Sequence, residues 1–294
     1  MHEKGWKTRL FGLVNNGLLL IIGLATIFPI YYTVILSFTD PVEYYQRSLI
    51  LWPRVWTLDA YKHLLSNGLF VTSISVSVFL ATVGTLLSLL VTGGMAYAVS
   101  RKRLRFRKGI MIMVLITFLF TPGLVPLYLV VRNVGLIDSV WSLILPSLTS
   151  AWYVLLMKGF FDSIPDSLEE AAMIDGSNDI GVFWRIILPL SLPALVAFGL
   201  FFAVGYWNTY FNALMFINDQ KMWPLQVLLQ NMLVDPTTMG SGSGGGFAFQ
   251  VNRPVPTETL KMAAVVIATV PIMLVYPFLQ KHFAKGAMVG SVKE

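Results

Sequence analysis

Apolar residues in this chain come in long runs, and polar residues gather between them. Six runs are long enough to cross a bilayer: roughly 13–38, 70–99, 109–131, 139–158, 190–216 and 260–280. A spanning helix needs about 20 mainly apolar residues to cross a hydrocarbon core about 30 Å thick. Inside hydrocarbon every backbone N–H and C=O must be satisfied within the protein, so such runs predict helices. The pattern predicts an all-α polytopic membrane protein, one transmembrane domain over 1–294 with six transmembrane helices and a polar loop over 159–189. Pro29, Pro122, Pro126, Pro146, Pro193, Pro271 and Pro277 fall within the runs. Membrane helices tolerate proline, and kinks are expected at some of these positions.

Composition agrees. Of 294 residues 56% are hydrophobic and 12% charged, against about 25% charged in a soluble domain. Mean hydropathy is +0.71 and net charge +6. In a soluble protein that charge would suggest nucleic acid, but here the basic residues flank the apolar runs and report direction instead. With the N-terminus cytoplasmic, 14 of the 21 Lys and Arg residues fall on the inner side. Both termini and the 159–189 loop are then cytoplasmic. The run Arg101–Lys108 reads as an anchor near anionic lipid headgroups. The absence of cysteine excludes a disulfide framework and a thiolate metal site. The run from Phe11 to Phe38 is too long for a cleaved signal peptide and reads as a retained anchor. His2, His63 and His282 are isolated, with nothing like a metal triad or a nucleophile beside its base. The chain is not expected to be an enzyme.

The 159–189 loop reads as two short helices. Pro165 suits the first turn or the position before it. Asp166 and Glu169 have capping-box spacing, and Gly176 is a C-terminal stop. A helical projection puts Leu168, Ala171, Ala172 and Asp175 on one face, where two alanines allow another backbone close. Glu170 falls roughly opposite and suits an Arg partner. A second helix begins at Ser177 or Asn178, carries Phe183, Trp184 and Arg185, and ends near Leu188-Pro189. No G-x-x-x-x-G-K-[ST] phosphate loop occurs. The glycine run 240–246 lacks the lysine and reads as a flexible tip.

The spacing Glu170-Ala171-Ala172, Gly176, then Ile186-x-Leu188-Pro189 resembles the coupling loop of binding-protein-dependent ATP-binding-cassette importers. Trp52–Tyr61 is similar to the W-T-L-x-x-Y stretch of carbohydrate importer permeases such as the maltose system's smaller permease. Val91–Arg101 resembles their A-Y-A-x-S-R, and Trp207-Asn208 also fits. Tyr276–Lys281 and the tail Lys285–Lys293 resemble the second permease of oligosaccharide and polysaccharide uptake systems, such as alginate or aldouronate importers.

The resemblance implies a type I importer permease fold in the bacterial cytoplasmic (inner) membrane, with Glu170, Ala171, Ala172, Asp175 and Gly176 as the ATPase-coupling residues. It implies a homologous second permease, two ATPase subunits that use ATP and Mg, and an extracytoplasmic sugar-binding protein. This chain would bind no cofactor itself and would alternate between inward- and outward-facing states.

Tyr206, Trp207, Asn208, Tyr210 and Asn212 are candidates for the substrate path. Amides hydrogen-bond hydroxyls, and polar groups in a membrane usually face a cavity or a partner. Helix–helix hydrogen bonding and an interfacial aromatic belt account for the same residues. Arg253 and Glu258 are candidate contacts for the binding protein. The coupling motif alone also fits an importer of amino acids or phosphate. The lack of a His or Cys cluster argues against a metal.

Overall fold

The computed structural model describes residues 6–234 and 256–291. The glycine run 240–246, Arg253 and the side chains of 276–291 lie outside what it describes. In chain order the α-helices are α1 (Trp6–Ser37), α2 (Pro41–Gln46), α3 (Asp59–Ser66), α4 (Gly68–Phe79), α5 (Thr85–Ser100), α6 (Arg107–Leu119), α7 (Leu124–Asn133) and α8 (Trp141–Ile144). They continue with α9 (Ala151–Asp162), α10 (Asp166–Ile174), α11 (Asp179–Val182), α12 (Leu188–Leu190), α13 (Leu192–Trp207), α14 (Phe211–Phe216), α15 (Leu225–Val234) and α16 (Thr257–Ser291). Among the described residues the one β feature is a single bridge, Thr39 to Trp56. The chain divides into two compact units, 1–67 with 231–270, and 68–230 with 271–294.

In the first unit, α1 carries the span Leu10–Ser37, apolar on nearly every side and exposed along most of its length. Such a helix suits lipid or another chain. The Thr26 and Thr33 hydroxyls donate back to the carbonyls of Gly23 and Pro29, each at 2.9 Å, so neither is left unsatisfied in hydrocarbon. The Trp52–Tyr61 stretch folds onto the C-terminal end of α1. Phe38 packs 6.0 Å from the Trp56 ring and 4.9 Å from that of Tyr61. The Tyr61 and Ser37 hydroxyls lie 2.7 Å apart. Buried Glu43 accepts the backbone N–H groups of Arg54 at 2.8 Å and Val55 at 3.3 Å, and pairs with Arg47 at 2.9 Å.

In the second unit, α4, a π-helical turn at Leu80–Gly84 and α5 form one continuous rod, Gly68–Ser100. Its buried stripe is mostly small or hydroxylated, with Ser73, Ser77, Gly84, Ser88, Thr92 and Ala96 alongside Phe70 and Leu80. Small residues let membrane helices approach closely, and hydroxyls bond across the gap. Ser77 Oγ accepts the Leu225 N–H at 2.8 Å, and the Thr92 hydroxyl donates to that of Thr149 at 2.9 Å. The rod packs on α9 and α13, around a core that includes Leu80, Met157, Phe161, Val182, Ile187 and Phe216.

Three of the six expected spans are not single helices. The 109–131 run breaks at 120–123, and α6 and α7 diverge by 119°. Pro122 lacks an N–H and disfavours helix at the residue before it, while Pro126 sits in the first turn of α7, where it is tolerated. The 139–158 run bends by 52° after Pro146, where Ser150 caps α9. The 190–216 run begins only at Leu192, after an 85° bend at Ser191, and its last part is the separate α14. Counting each bent pair as one crossing restores six.

Candidate functional site: a loop helix pair and a neutral cleft

Helix α10 begins directly after Pro165, which takes the position before the first turn. The capping box does not form, because no side-chain cap bond is made and both carboxylates face basic residues instead. Glu169 pairs with Arg101 just beyond α5, and Asp166 accepts from Lys102 at 3.1 Å. Arg103 pairs with Asp179 at the start of α11 and lies 3.8 Å from Glu169. The first three residues of the run read as a lipid anchor therefore hold the loop.

These pairs set which face of α10 turns inward. Glu169 and Ala172 are buried, while Leu168, Glu170, Ala171, Ile174 and Asp175 are exposed. The expected face of Leu168, Ala171, Ala172 and Asp175 is thus split, since Ala172 joins the core and the other three remain accessible. Ile174 is 86% exposed, a large apolar side chain on a polar loop. Of the five residues expected to couple, Glu170, Ala171, Asp175 and Gly176 present themselves to solvent and Ala172 seats the helix.

Gly176 ends α10 with φ +85°. Its N–H donates to Met173 O at 3.0 Å, and the Ser177 N–H reaches Ala172 O at 2.9 Å. This doubled bond pattern needs its first donor to be left-handed, which glycine supplies without strain. Asn178, rather than Ser177, caps the second helix by accepting the Gly181 N–H at 2.8 Å. That helix runs on through a π-helical turn, Phe183–Ile187, to Leu190. Phe183 packs 5.1 Å from the Tyr97 ring, and Trp184 stays exposed.

The second feature is an open cleft of about 470 Å³, lined by residues 146–153, the end of α13 and the start of α14. Tyr206, Asn208, Tyr210 and Asn212 line it, together with Ser147, Thr149, Ser150, Tyr153, Phe201 and Phe202. Trp207 does not; it is buried in the packing. Asn208 is the C-cap of α13, and its side-chain oxygen accepts from Gln226 at 3.4 Å. The Tyr206 hydroxyl lies 2.9 Å from that of Ser88 and 3.4 Å from Ile144 O. Its ring leaves no room for a side chain at Gly84, where an added Cβ would lie 2.7 Å from Cε2.

Among the described residues no Lys, Arg, Asp or Glu lines the cleft. Hydroxyls, amides and aromatic faces at such a surface suit a hydroxylated ligand better than an ion. Among the described residues no group of three His, Cys, Asp or Glu side chains is placed to hold a metal. Sequence reasoning missed Gly84, Ser88 and the 147–153 wall. The recurrence of Gly84, Ser88, Thr92 and Ala96 at every fourth position was the available signal for the first two.

Comparison with known proteins matches this arrangement. The family described as "Binding-protein-dependent transport system inner membrane component" matches residues 84–289. The polygalacturonan/rhamnogalacturonan transport system permease protein YtcP of Bacillus subtilis (strain 168) is 45% identical, over 98% of this chain and 99% of its own. Protein LplC of the same organism is 43% identical, over 97% and 95%. A chain from the crystal structure of a bacterial ABC transporter involved in the import of the acidic polysaccharide alginate has a TM-score of 0.87 and 32% identity. That match covers 96% of this chain and all of the other. With the helix pair, the broken spans and near full-length identity in agreement, the chain belongs to the binding-protein-dependent transport system inner membrane components, multi-pass membrane subunits of ABC importers that transport rather than catalyse.

Proposed function

We propose that this chain is one of two homologous permeases in an ATP-driven importer of oligosaccharides delivered by an extracytoplasmic binding protein. The observation that carries this reading is the 45% identity, over nearly the whole chain, to a permease of polygalacturonan and rhamnogalacturonan transport. The fold match to an alginate importer also points to acidic sugars. The neutral cleft refines the reading. Ser147, Thr149, Tyr210 and Asn212 suit sugar hydroxyls, and Tyr153 and Phe202 offer aromatic faces. The carboxylates of a uronate would then meet charge outside this cleft, on the partner permease or the binding protein.

Both termini and the 159–189 loop are assigned to the cytoplasmic side, from the bias of Lys and Arg. There the exposed face of α10, Glu170, Ala171, Ile174 and Asp175, meets an ATPase subunit that holds ATP and Mg. This chain binds neither. Nucleotide biases the two states of the permease, and the cleft changes its access with them.

Purification of the chain in mild detergent from its own membrane tests this. A second permease and an ATPase should co-purify. ATP hydrolysis should rise with a binding protein loaded with oligogalacturonate and not with the empty one. A chain that purifies alone, or a complex indifferent to every sugar-loaded binding protein, sinks the reading.

A further inference from the structure

Arg101 and Glu169 are both buried, at 7% and 4% exposure. A buried ion pair is a poor way to gain stability, because desolvating both charges offsets most of their attraction; its best-attested use is to fix register. The geometry fits that use. Arg101 Nε donates to Ser100 Oγ at 2.9 Å, and Nη2 donates to Phe161 O in α9 at 3.0 Å. The guanidinium also lies 5.1 Å from the centre of the Tyr97 ring. The group is therefore fixed to α5 and α9 before it meets Glu169. The flanking pairs, Lys102 with Asp166 and Arg103 with Asp179, are solvent-exposed and weak by comparison.

The other end of α5 reaches the cleft. From Arg101 to Ser88 a helix rises about 20 Å. There Ser88 bonds the Tyr206 hydroxyl, and the ring fills the space beside Gly84. Tyr206 lines the cleft. Close packing at Arg101 and at Ser88 gives α5 a contiguous contact route from α10 to the cleft wall.

We propose that Arg101 and Glu169 are positioning residues, a latch through which α10 drives α5 and, through Ser88 and Tyr206, the wall of the cleft. The proposal rests on the reading of α10 as the face that meets the ATPase.

The chain has no cysteine, so one reporter, Ser147→Cys in the cleft wall, can be followed by maleimide labelling of this chain within the assembled complex. The labelling rate should differ between the nucleotide-free and the vanadate-trapped ATP states by about fivefold or more, the lower range of an allosteric coupling. Two variants are then compared in that background. Glu169→Gln keeps the shape and removes one charge. Arg101→Met with Glu169→Met removes both and leaves neither unpaired.

Both should retain the ATPase subunits and hydrolyse ATP, while the nucleotide response of the reporter falls to nearly none. A purely structural pair would not separate hydrolysis from response in this way. A full response in the double variant overturns the latch. Loss of the ATPase subunits from both variants assigns the pair to assembly and overturns it as well. A reporter without nucleotide response in the unsubstituted complex overturns the reading of α10 as the face through which the ATPase moves the cleft, on which the latch rests.

Discussion

Two neighbouring glutamates in the loop have opposite fates. Glu169 turns in to Arg101, and Glu170 faces outward. The outward position of Glu170 and the stop at Gly176 were legible from spacing, since both follow from local helix geometry. The partner of Glu169 was not, because Arg101 lies far away in sequence within a basic run that membrane flanks carry for other reasons. Gly176 supports a sharp expectation. A β-branched side chain at φ +85° strains the backbone by about 1–2 kcal/mol and weakens the bonds from Gly176 and Ser177 that close α10. Nothing lies within 4 Å of an added Cβ, so the strain stays local and insertion should survive. Gly176→Val is expected to leave membrane abundance near wild type by immunoblot and to lower uptake at least tenfold. Unchanged uptake would show that the bend between α10 and α11 is not needed.

Hydropathy reads how much of a chain is apolar and is blind to where its helix axis turns. The rods Leu10–Ser37 and Gly68–Ser100 were legible as single crossings, because neither Pro29 in the first nor the π-helical turn in the second breaks the rod into a sharply bent pair. The prolines marked Pro122 as a kink candidate but not the 119° turn that follows from it, and the bend at Ser191 was not marked, because the apolar run passes straight over it. Nor were the two π-helical turns, which carry no residue signature of their own. Another element hidden from sequence joins 138 to the loop after α14. The Asp138 carboxylate accepts the Asn218 side-chain amide at 3.0 Å, then the backbone N–H groups of Asn218 and of Asp219, the last at 3.2 Å. Its own N–H donates to Phe216 O at 2.8 Å. Hydrogen bonding by Asn218, side chain first and backbone next, holds this carboxyl below its ordinary range. A depressed carboxyl stabilises the fold above its unfolded value of about 3.9 and loses that contribution as pH falls through the folded one. Asp138→Asn keeps a residue type that tolerates the left-handed backbone at φ +57°. In detergent its melting temperature should therefore lie below wild type at pH 7, with the gap closing below about pH 4. A gap that persists unchanged as pH falls below that value and through the lowered folded pKa would mean the charge of Asp138 plays no part.

At the scale of the whole molecule, the loop at one end of α5 and the cleft at the other make sense only if the loop keeps to one compartment while the cleft opens to each in turn. That sets a demand on topology. The basic residues argue for a cytoplasmic loop, yet Arg101, Lys102 and Arg103 are engaged by Glu169, Asp166 and Asp179. Their positive charge is thus partly spent within the protein, so the orientation needs a signal independent of charge. A chain without cysteine provides one. Ile174→Cys places a thiol at the most exposed apolar position of α10, and Tyr45→Cys places one at an exposed position after the first span. Four crossings separate the N-terminus from Ile174 and one separates it from Tyr45, so the two must label from opposite faces whichever way the chain is inserted. In intact cells an impermeant maleimide should modify Tyr45→Cys and spare Ile174→Cys, and in inverted vesicles the pattern should reverse. Labelling of both from one face would break the six-crossing count, and with it the treatment of each bent helix pair as a single span. The opposite pattern would keep the count but put α10 where no ATP is, leaving its exposed Ile174 and the buried Arg101–Glu169 pair without a motor to serve.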